Sequence, residues 1–421
     1  MNTKSLSAIT LCVATLCNCE YAPEPPEEEA AEEAVSDISQ SFTGTISASG
    51  TSWVTHNVTI TGGGKLSINL NWASNSANLN VFLTGPGGNA IAHQNGTAKP
   101  EVLVVDLTQS GTYSIGIKCK TGSTSYTLTS DFAPSAAEYP GRPAPGTLYW
   151  GAAISGNGDP KTRHENAAGH PMTLHRTFHQ WNQRTTKLVD EAIDDAANGR
   201  IGWVSVKTPS WAEMGAGQHD GAIDQMLQAL DNIDGPVWLT MHHEPEGGGG
   251  VNAPDDPAGP TGHLAMNKRV RQRMTALGVD NVALAPILMT YTWKPSSGRD
   301  PQDWWEPGIY DFLGVDHYTD AEASPMDDTW YDIRAFAAEK GVELAVGEWG
   351  MRGTNTAAGN RMKAYYDHAA NSHSDGMGGR VVGLSYFDSG LNSPSGTWEL
   401  AGAQLTMFRT LLSDPRTADP Q

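Results

Sequence analysis

Eight short, mostly apolar runs alternate with amphipathic stretches from residue 148 to residue 412, and this alternation constrains the fold more than any other feature. The runs are 148–154, 172–178, 201–207, 237–242, 282–289, 312–315, 344–346 and 381–386. Their length and apolar character suit strands covered on both faces. Between them, residues 186–197, 222–232, 262–276, 329–339, 360–370 and 402–412 repeat apolar positions at the helical period. Eight such units over about 270 residues match an α/β fold of the (β/α)8 TIM-barrel type. The stretch 290–310 lacks a clear helix, so the count is least secure there. A doubly wound open sheet is the alternative. No Gly-rich phosphate loop opens a helix, which favours the barrel.

The N-terminal part has a different texture. Residues 39–132 are rich in Ser, Thr, Asn and Gly, with apolar alternation at 53–60, 66–72, 79–83, 102–107, 113–117 and 126–128. Gly62-Gly63-Gly64 and Gly85-Pro86-Gly87-Gly88 supply turns between these runs. Short strands at this spacing predict a small all-β domain, a β-sandwich or jelly roll. Trp53 and Trp72 are candidates for stacking on sugar rings, although a strand Trp is more commonly core. A Pro-rich linker, 133–147, joins this domain to the barrel domain, 148–414.

The formal net charge is −20. An acidic chain is poorly matched to nucleic acid and to anionic membrane surfaces. Residues 20–37 carry eight acidic side chains and no basic one, so 20–38 read as a self-repelling, disordered linker. Ahead of it, residues 1–19 combine Lys4 with an apolar run, 6–16, too short to span a bilayer and suited to an export signal. The segment ends in Leu16-Cys17-Asn18-Cys19, which is similar to a bacterial lipoprotein signal with Cys17 or Cys19 as the lipidated residue. Leu16 and Asn18 stand where such signals carry a small residue, and an ordinary cleaved signal peptide is the other reading. The chain is therefore expected to be secreted or held at the cell surface by a lipid anchor, as a monomer. Cys119 is the one cysteine outside this segment, so no internal disulfide is expected, and its strand pattern predicts a core role.

In a parallel barrel, the side chains that act on a ligand come from the C-terminal ends of the strands. The fourth run ends in His242-His243-Glu244-Pro245-Glu246, followed by four glycines. The seventh ends in Gly347-Glu348-Trp349-Gly350. Two carboxylates across a barrel mouth are what glycosidic bond cleavage needs. One protonates the leaving oxygen, and the other attacks or stabilises the oxocarbenium-like carbon. At roughly 5–5.5 Å apart they would act with retention. Either residue alone would pass for an ordinary loop acid; the pair in these contexts favours catalysis.

These motifs resemble the glycoside hydrolases of clan A, and most closely family 26, the β-mannanases and related β-glycanases. The resemblance spans roughly residues 148–412. It implies that Glu244, after His243, is the acid/base and that Glu348, before Trp349-Gly350, is the nucleophile. The run from Trp304-Trp305-Glu306-Pro307-Gly308 to Asp316-His317-Tyr318 looks like the family's sixth-strand signature, whose final residue, here Tyr318, hydrogen-bonds the nucleophile. Pro245-Glu246 and the glycines depart from the family pattern and weaken any transfer of mannan specificity. Glu246 is a rival carboxylate that could also tune Glu244. In the small domain, Asn78-Leu79-Asn80-Val81-Phe82-Leu83, Gly85-Pro86-Gly87-Gly88 and Ser110-Gly111-Thr112-Tyr113 resemble the bacterial pre-peptidase C-terminal type of domain, which is appended to secreted hydrolases.

Around the two carboxylates, His175, His179 and Trp181 cluster at the end of the second run, Lys207 and Trp211 follow the third, and Trp293 follows the fifth. Trp349, Tyr386 and Asp388 complete the expected rim. Trp150, Trp203 and Trp238 fall within strands and are expected to pack. A metal hydrolase is the rival enzyme class. His242 and His243 are adjacent and point to opposite faces, and no helical His-Glu-x-x-His is present, so no metal and no other cofactor is expected. No Gly-x-Ser-x-Gly elbow supports an esterase. The expected function is a retaining endo-acting glycoside hydrolase on a β-linked polysaccharide, mannan first. Xylan or β-glucan as the substrate, and a non-catalytic polysaccharide-binding protein, are the alternatives.

Overall fold

The computed structural model describes residues 38–60, 64–107, 111–134, 138–247, 254–318, 324–390 and 397–420. The expected export signal, the acidic linker up to residue 37 and glycines 248–250 lie outside the described residues.

The first eight strands are β1 (Ile38–Ser47), β2 (Trp53–Ile60), β3 (Gly64–Trp72), β4 (Asn78–Thr84), β5 (Ala90–Gln94), β6 (Glu101–Leu107), β7 (Gly111–Thr121) and β8 (Ser123–Pro134). They form two antiparallel four-stranded sheets, ordered β1-β8-β3-β6 and β2-β7-β4-β5. Alternate side chains of each sheet, among them Leu66, Ile68, Leu79, Val81, Ile115 and Leu128, share one buried cluster. Trp72 and Cys119 belong to that core, while Trp53 is 46% exposed. Strands β1 and β5 escape the sequence pattern for a physical reason. β1 is dominated by Ser, Thr and Gly, and most of β5 is exposed, so neither shows a sustained apolar face.

The second set of strands is β9 (Tyr149–Ile154), β10 (Leu174–Gln180), β11 (Ile201–Lys207), β12 (Val237–Met241), β13 (Val282–Leu284), β14 (Ile287–Met289), β15 (Leu313–Tyr318), β16 (Leu344–Gly350) and β17 (Val381–Asp388). All pair in parallel, in the order β13-β12-β11-β10-β9-β17-β16-β15-β14. The two ends of this barrel-like sheet are consecutive in the chain. The expected fifth strand is interrupted at Ala285-Pro286, where proline supplies no N–H to a ladder. The Ala285 N–H donates to Leu239 O (3.0 Å) on one side, and Pro286 O accepts from Gly314 N–H (3.0 Å) on the other.

Helices α1 (Asn166–Ala168), α2 (Lys187–Ala197), α3 (Trp211–Gly215), α4 (Asp220–Asp231), α5 (Gly259–Leu277), α6 (Asp328–Glu339), α7 (Thr356–Asn371) and α8 (Gly402–Leu411) alternate with these strands. Three short 3-10 turns occupy the stretch after β14, where no helix was expected. One face of the strands packs against the helices through Trp150, Leu239, Leu284, Val346 and Leu384. A second cluster, with Trp203, Trp238, Ile287 and Phe312, gathers side chains from the opposite face. From the preceding linker, Tyr139 donates to Glu343 (2.8 Å), which also pairs with Arg142 (3.0 Å) and Arg380 (2.8 Å).

Candidate active site

Glu244 reaches the mouth by a route different from the expected one. It does not continue the fourth strand, because β12 ends at Met241. His242 and Glu244 both have left-handed backbones, with φ of 60° and 48°. Non-glycine residues in this region are strained, and the surroundings must hold them there. The Glu244 N–H donates to Ile287 O (2.8 Å), which ties the turn to β14. The flanking His242 is locked between Trp211 Nε1–H (3.2 Å) and Asp255 (2.8 Å).

Glu348 lies within β16, where the register with β17 shifts between Val346 and Trp349. Such an irregularity re-aims side chains. Glu348 is buried, and its carboxylate accepts from the Tyr318 hydroxyl at 3.1 Å. Arg176, whose charge acts on Glu348, is fully buried, with its guanidinium over the rings of Phe178 (4.5 Å) and Trp203 (5.5 Å). A Cβ on Gly347 would lie 2.9 Å from Asp316 Oδ1 and 3.5 Å from Arg176 Nε. Glycine at that position lets both side chains close in beside the nucleophile candidate. Neither oxygen of Asp316 has a hydrogen-bond partner, nor does Arg176 Nε or Nη2.

These positions set the charges. Burial pushes the Glu244 carboxyl up to about 8, with the charges of Glu348 and Glu246 adding to the effect. Burial also raises Glu348, but the Arg176 cation and the Tyr318 hydrogen bond oppose that rise. Asp316 is raised well above the usual carboxylate range by burial and by both glutamates. Burial drives His243 well below an ordinary imidazole and His179 down to about 4, and Arg176 adds to both. At neutral pH the site therefore holds a protonated Glu244 and neutral imidazoles, while Arg176 and Tyr318 favour the charged form of Glu348.

The cleft has a volume of about 500 Å³ and is lined by Asn157, Phe178, His179, Lys187, His243, Glu244, Glu348 and Phe387. Two smaller hollows adjoin Glu244, and the first of them also adjoins Glu348. One, of about 240 Å³, is bounded by Tyr318, Phe387 and Trp398, and the other, of about 140 Å³, by Met289, Tyr291 and Lys294.

The structure thus gathers Glu244, Glu348, Tyr318, His179 and His243. It takes the other expected residues elsewhere. His175 pairs with Asp195 on α2 (2.9 Å), on the helix side of its strand. Trp211 is fully buried against His242, His263 and Trp304. Trp349 packs on Trp150, Tyr365 and Tyr386. The Tyr386 hydroxyl donates to Met351 O (3.0 Å). Trp293 stands edge-on to Phe336, while its neighbours Tyr291 and Lys294 line the smaller hollow beside Glu244. Side chains alternate along a strand, so Glu348 and Phe387 face the mouth and Trp349 and Tyr386 face the helices. Asp388 is buried against Arg163 and His164, and Lys207 pairs with Asp255. Glu246 accepts from the Met289 N–H (2.8 Å) and the Thr292 hydroxyl (2.7 Å), away from the cleft lining.

Asn157, Phe387 and Trp398 were not foreseen. Asn157 carries a readable signal, an Asn between glycines just after a strand. Its amide donates to Phe178 O and accepts from Phe178 N–H. Trp398 follows a stretch of sequence rich in Ser, Gly and Pro and has none. Among the described residues, no group of three His, Cys, Asp or Glu side chains is placed to hold a metal ion.

No family model matches the chain, and no curated protein matches it. Solved structures do. A Podospora anserina β-(1,4)-mannanase of family 26 with a CBM35 module is 13% identical over 91% of this chain and 97% of its own, with a TM-score of 0.40. A modular endo-β-1,4-mannanase from Cellulomonas fimi is 14% identical over 65% of this chain and 72% of its own, at 0.44. A Bacillus subtilis mannanase is 15% identical over 64% and 86%, at 0.43. A Clostridium thermocellum endo-1,4-β-D-xylanase with a CBM22 module is 9% identical over 91% of this chain and 98% of its own, at 0.40.

Proposed function

We propose that this protein is a retaining, endo-acting glycoside hydrolase of a β-linked polysaccharide, with Glu244 as acid/base and Glu348 as nucleophile. One observation carries the proposal: two buried carboxyl groups border one cleft, and the second accepts a hydrogen bond from Tyr318. In the first step, the Glu348 carboxylate bonds to the anomeric carbon while Glu244 gives its proton to the departing glycosidic oxygen. In the second, Glu244 takes a proton from water, whose oxygen displaces Glu348 and releases the sugar. Arg176 stabilises Glu348 as an anion before attack. The neutral His179 and His243 are suited to hydrogen-bonding sugar hydroxyls, and Phe178, Phe387 and Trp398 to facing the C–H surfaces of the rings.

The nine-strand sheet supports a closed (β/α)8 barrel, because its two terminal strands are halves of one interrupted strand. Mannan is the first substrate to test, on the strength of the strand-four, strand-six and strand-seven motifs. Export, with or without a lipid anchor, belongs to the same proposal and rests on the first 19 residues. The experiment is hydrolysis of mannan, xylan and mixed-linkage glucan, with proton NMR of the first-formed anomer. Glu244→Gln should lower turnover by about 10²–10⁴-fold, and Glu348→Ala should abolish it. Wild-type turnover in either variant, or an inverted first product, overturns the assignment.

A further inference from the structure

The outer face of the β2-β7-β4-β5 sheet carries a row of rings that the hydrolytic cleft does not use. Trp53 on β2 is 46% exposed, and Phe82 on β4 lies 5.1 Å from it, ring centre to ring centre. His93 on β5 continues the row, 5.9 Å beyond Phe82 and inclined to it by only 17°. The row crosses the strands at one level: Gly116 on β7 pairs with Thr55 on β2 and Phe82 on β4, and Phe82 pairs with His93. Gly116 is the seat of this arrangement. A Cβ there would come within 2.6 Å of Trp53 Cζ2, so only glycine lets the indole reach over β7 towards Phe82.

The surroundings narrow the ligand. Strands β2, β4, β5 and β7 contain no Asp or Glu, in a chain whose net charge is −20. The positions beside the rings are hydroxyls and amides, with one cation, Lys118, opposite Trp53. The Trp53 indole N–H donates to Thr55 (3.2 Å), and Ser114 donates to Asn57 (2.8 Å). Exposed rings in a polar, carboxylate-free field match the alternating apolar faces and hydroxyl edges of a sugar chain. An exposed Trp braced by neighbouring rings is pre-ordered, so stacking costs little side-chain entropy. Trp72, the other tryptophan of this domain, is buried and donates to Ala77 O (3.0 Å), which leaves Trp53 as the anchor.

We propose that this face is a polysaccharide-binding site built on Trp53, Phe82 and His93, which holds a β-linked chain by stacking. It rests on the hydrolase reading only for the choice of ligand. The experiment is co-sedimentation of the full-length Glu348→Ala variant with insoluble mannan, insoluble xylan and cellulose, so that binding is read without turnover. The protein should sediment with at least one of them, and the bound fraction should survive about 1 M salt. Adding Trp53→Ala or Phe82→Ala should weaken that binding about tenfold, with the thermal transition kept. The proposal is overturned if neither substitution weakens binding, if none of the three is bound, or if salt releases the protein, which would mark an anionic ligand on Lys118 and Lys120. It is also overturned if Trp53→Ala changes the sedimentation coefficient instead, which would mark self-association. Sedimentation that depends on the rings while the wild type cleaves nothing would sink the hydrolase reading and leave this one standing.

Discussion

Replacing Tyr318 by Phe removes one hydrogen bond and little else, because the ring keeps its contacts with Trp398 (5.2 Å) and Phe387 (6.3 Å). The lost bond, 3.1 Å long, runs from the phenol to the Glu348 carboxylate. Burial and the glutamate's charge keep the phenol protonated, so it always donates. A hydrogen bond to a charged group contributes about 1.5–3 kcal/mol, and one pKa unit corresponds to about 1.4 kcal/mol. The bond favours the charged form, so its loss should raise the Glu348 titration by about one to two units. In the proposed mechanism attack requires ionised Glu348, so the acid limb of kcat/KM should move to higher pH by that amount. The alkaline limb belongs to Glu244, which burial holds at about 8, and should stay in place. The bell therefore narrows from its acid side, and turnover at its centre falls. The assay is a kcat/KM–pH profile of both proteins on a soluble oligosaccharide, with thermal melts beside it. An acid limb that does not move, or two limbs that move together, would refute the assignment of Glu348 as the nucleophile held by Tyr318.

Glu246→Gln should act on the opposite limb. It removes a negative neighbour that helps raise Glu244, so the alkaline limb should fall by less than about one unit, since burial is the larger cause; a limb that rises instead contradicts the charge argument. Trp349→Ala should cost about 3–5 kcal/mol of stability by opening a cavity between Trp150, Tyr365 and Tyr386, with KM unchanged in whatever protein folds; a raised KM with an unaltered melt would return Trp349 to the cleft. Asp388 is held down to about 2, because contacts from His164 (2.9 Å) and Arg163 (2.7 Å) and the Leu400 N–H outweigh its burial. A carboxylate whose folded pKa lies below its unfolded value stabilises above the unfolded value and loses that contribution as pH falls towards about 2. Asp388→Asn should therefore cost about 3–5 kcal/mol near neutral pH and progressively less in acid, as urea melts would show. A gap that is constant with pH would mean that the ion pairs contribute nothing.

Chain order alone exposes the strand-end acids, because a barrel puts its chemistry where apolar runs stop. That rule says where a residue sits along a strand and nothing about which face it takes. Trp349 and Tyr386 were drawn to the rim by proximity, yet each is one step from a residue that faces it, and one step reverses the face. The left-handed turn at His242 and Glu244 was also hidden, since neither residue type announces a positive φ. Arg176 marks the deeper limit. In sequence it is a polar residue inside a strand, unremarkable beside His175. Asp316, an electrostatic neighbour on β15, is more than a hundred residues away in the chain, and both side chains crowd the space that Gly347 leaves open. A buried cation without full hydrogen bonding is costly alone and becomes useful only where it lets a neighbouring carboxylate ionise. The two glutamates could be found from local context because each stands where an apolar run gives way, Glu244 in the turn after β12 and Glu348 near the end of β16. The arginine that favours the charged form of Glu348 is defined by three strands at once, and only the folded sheet brings them together.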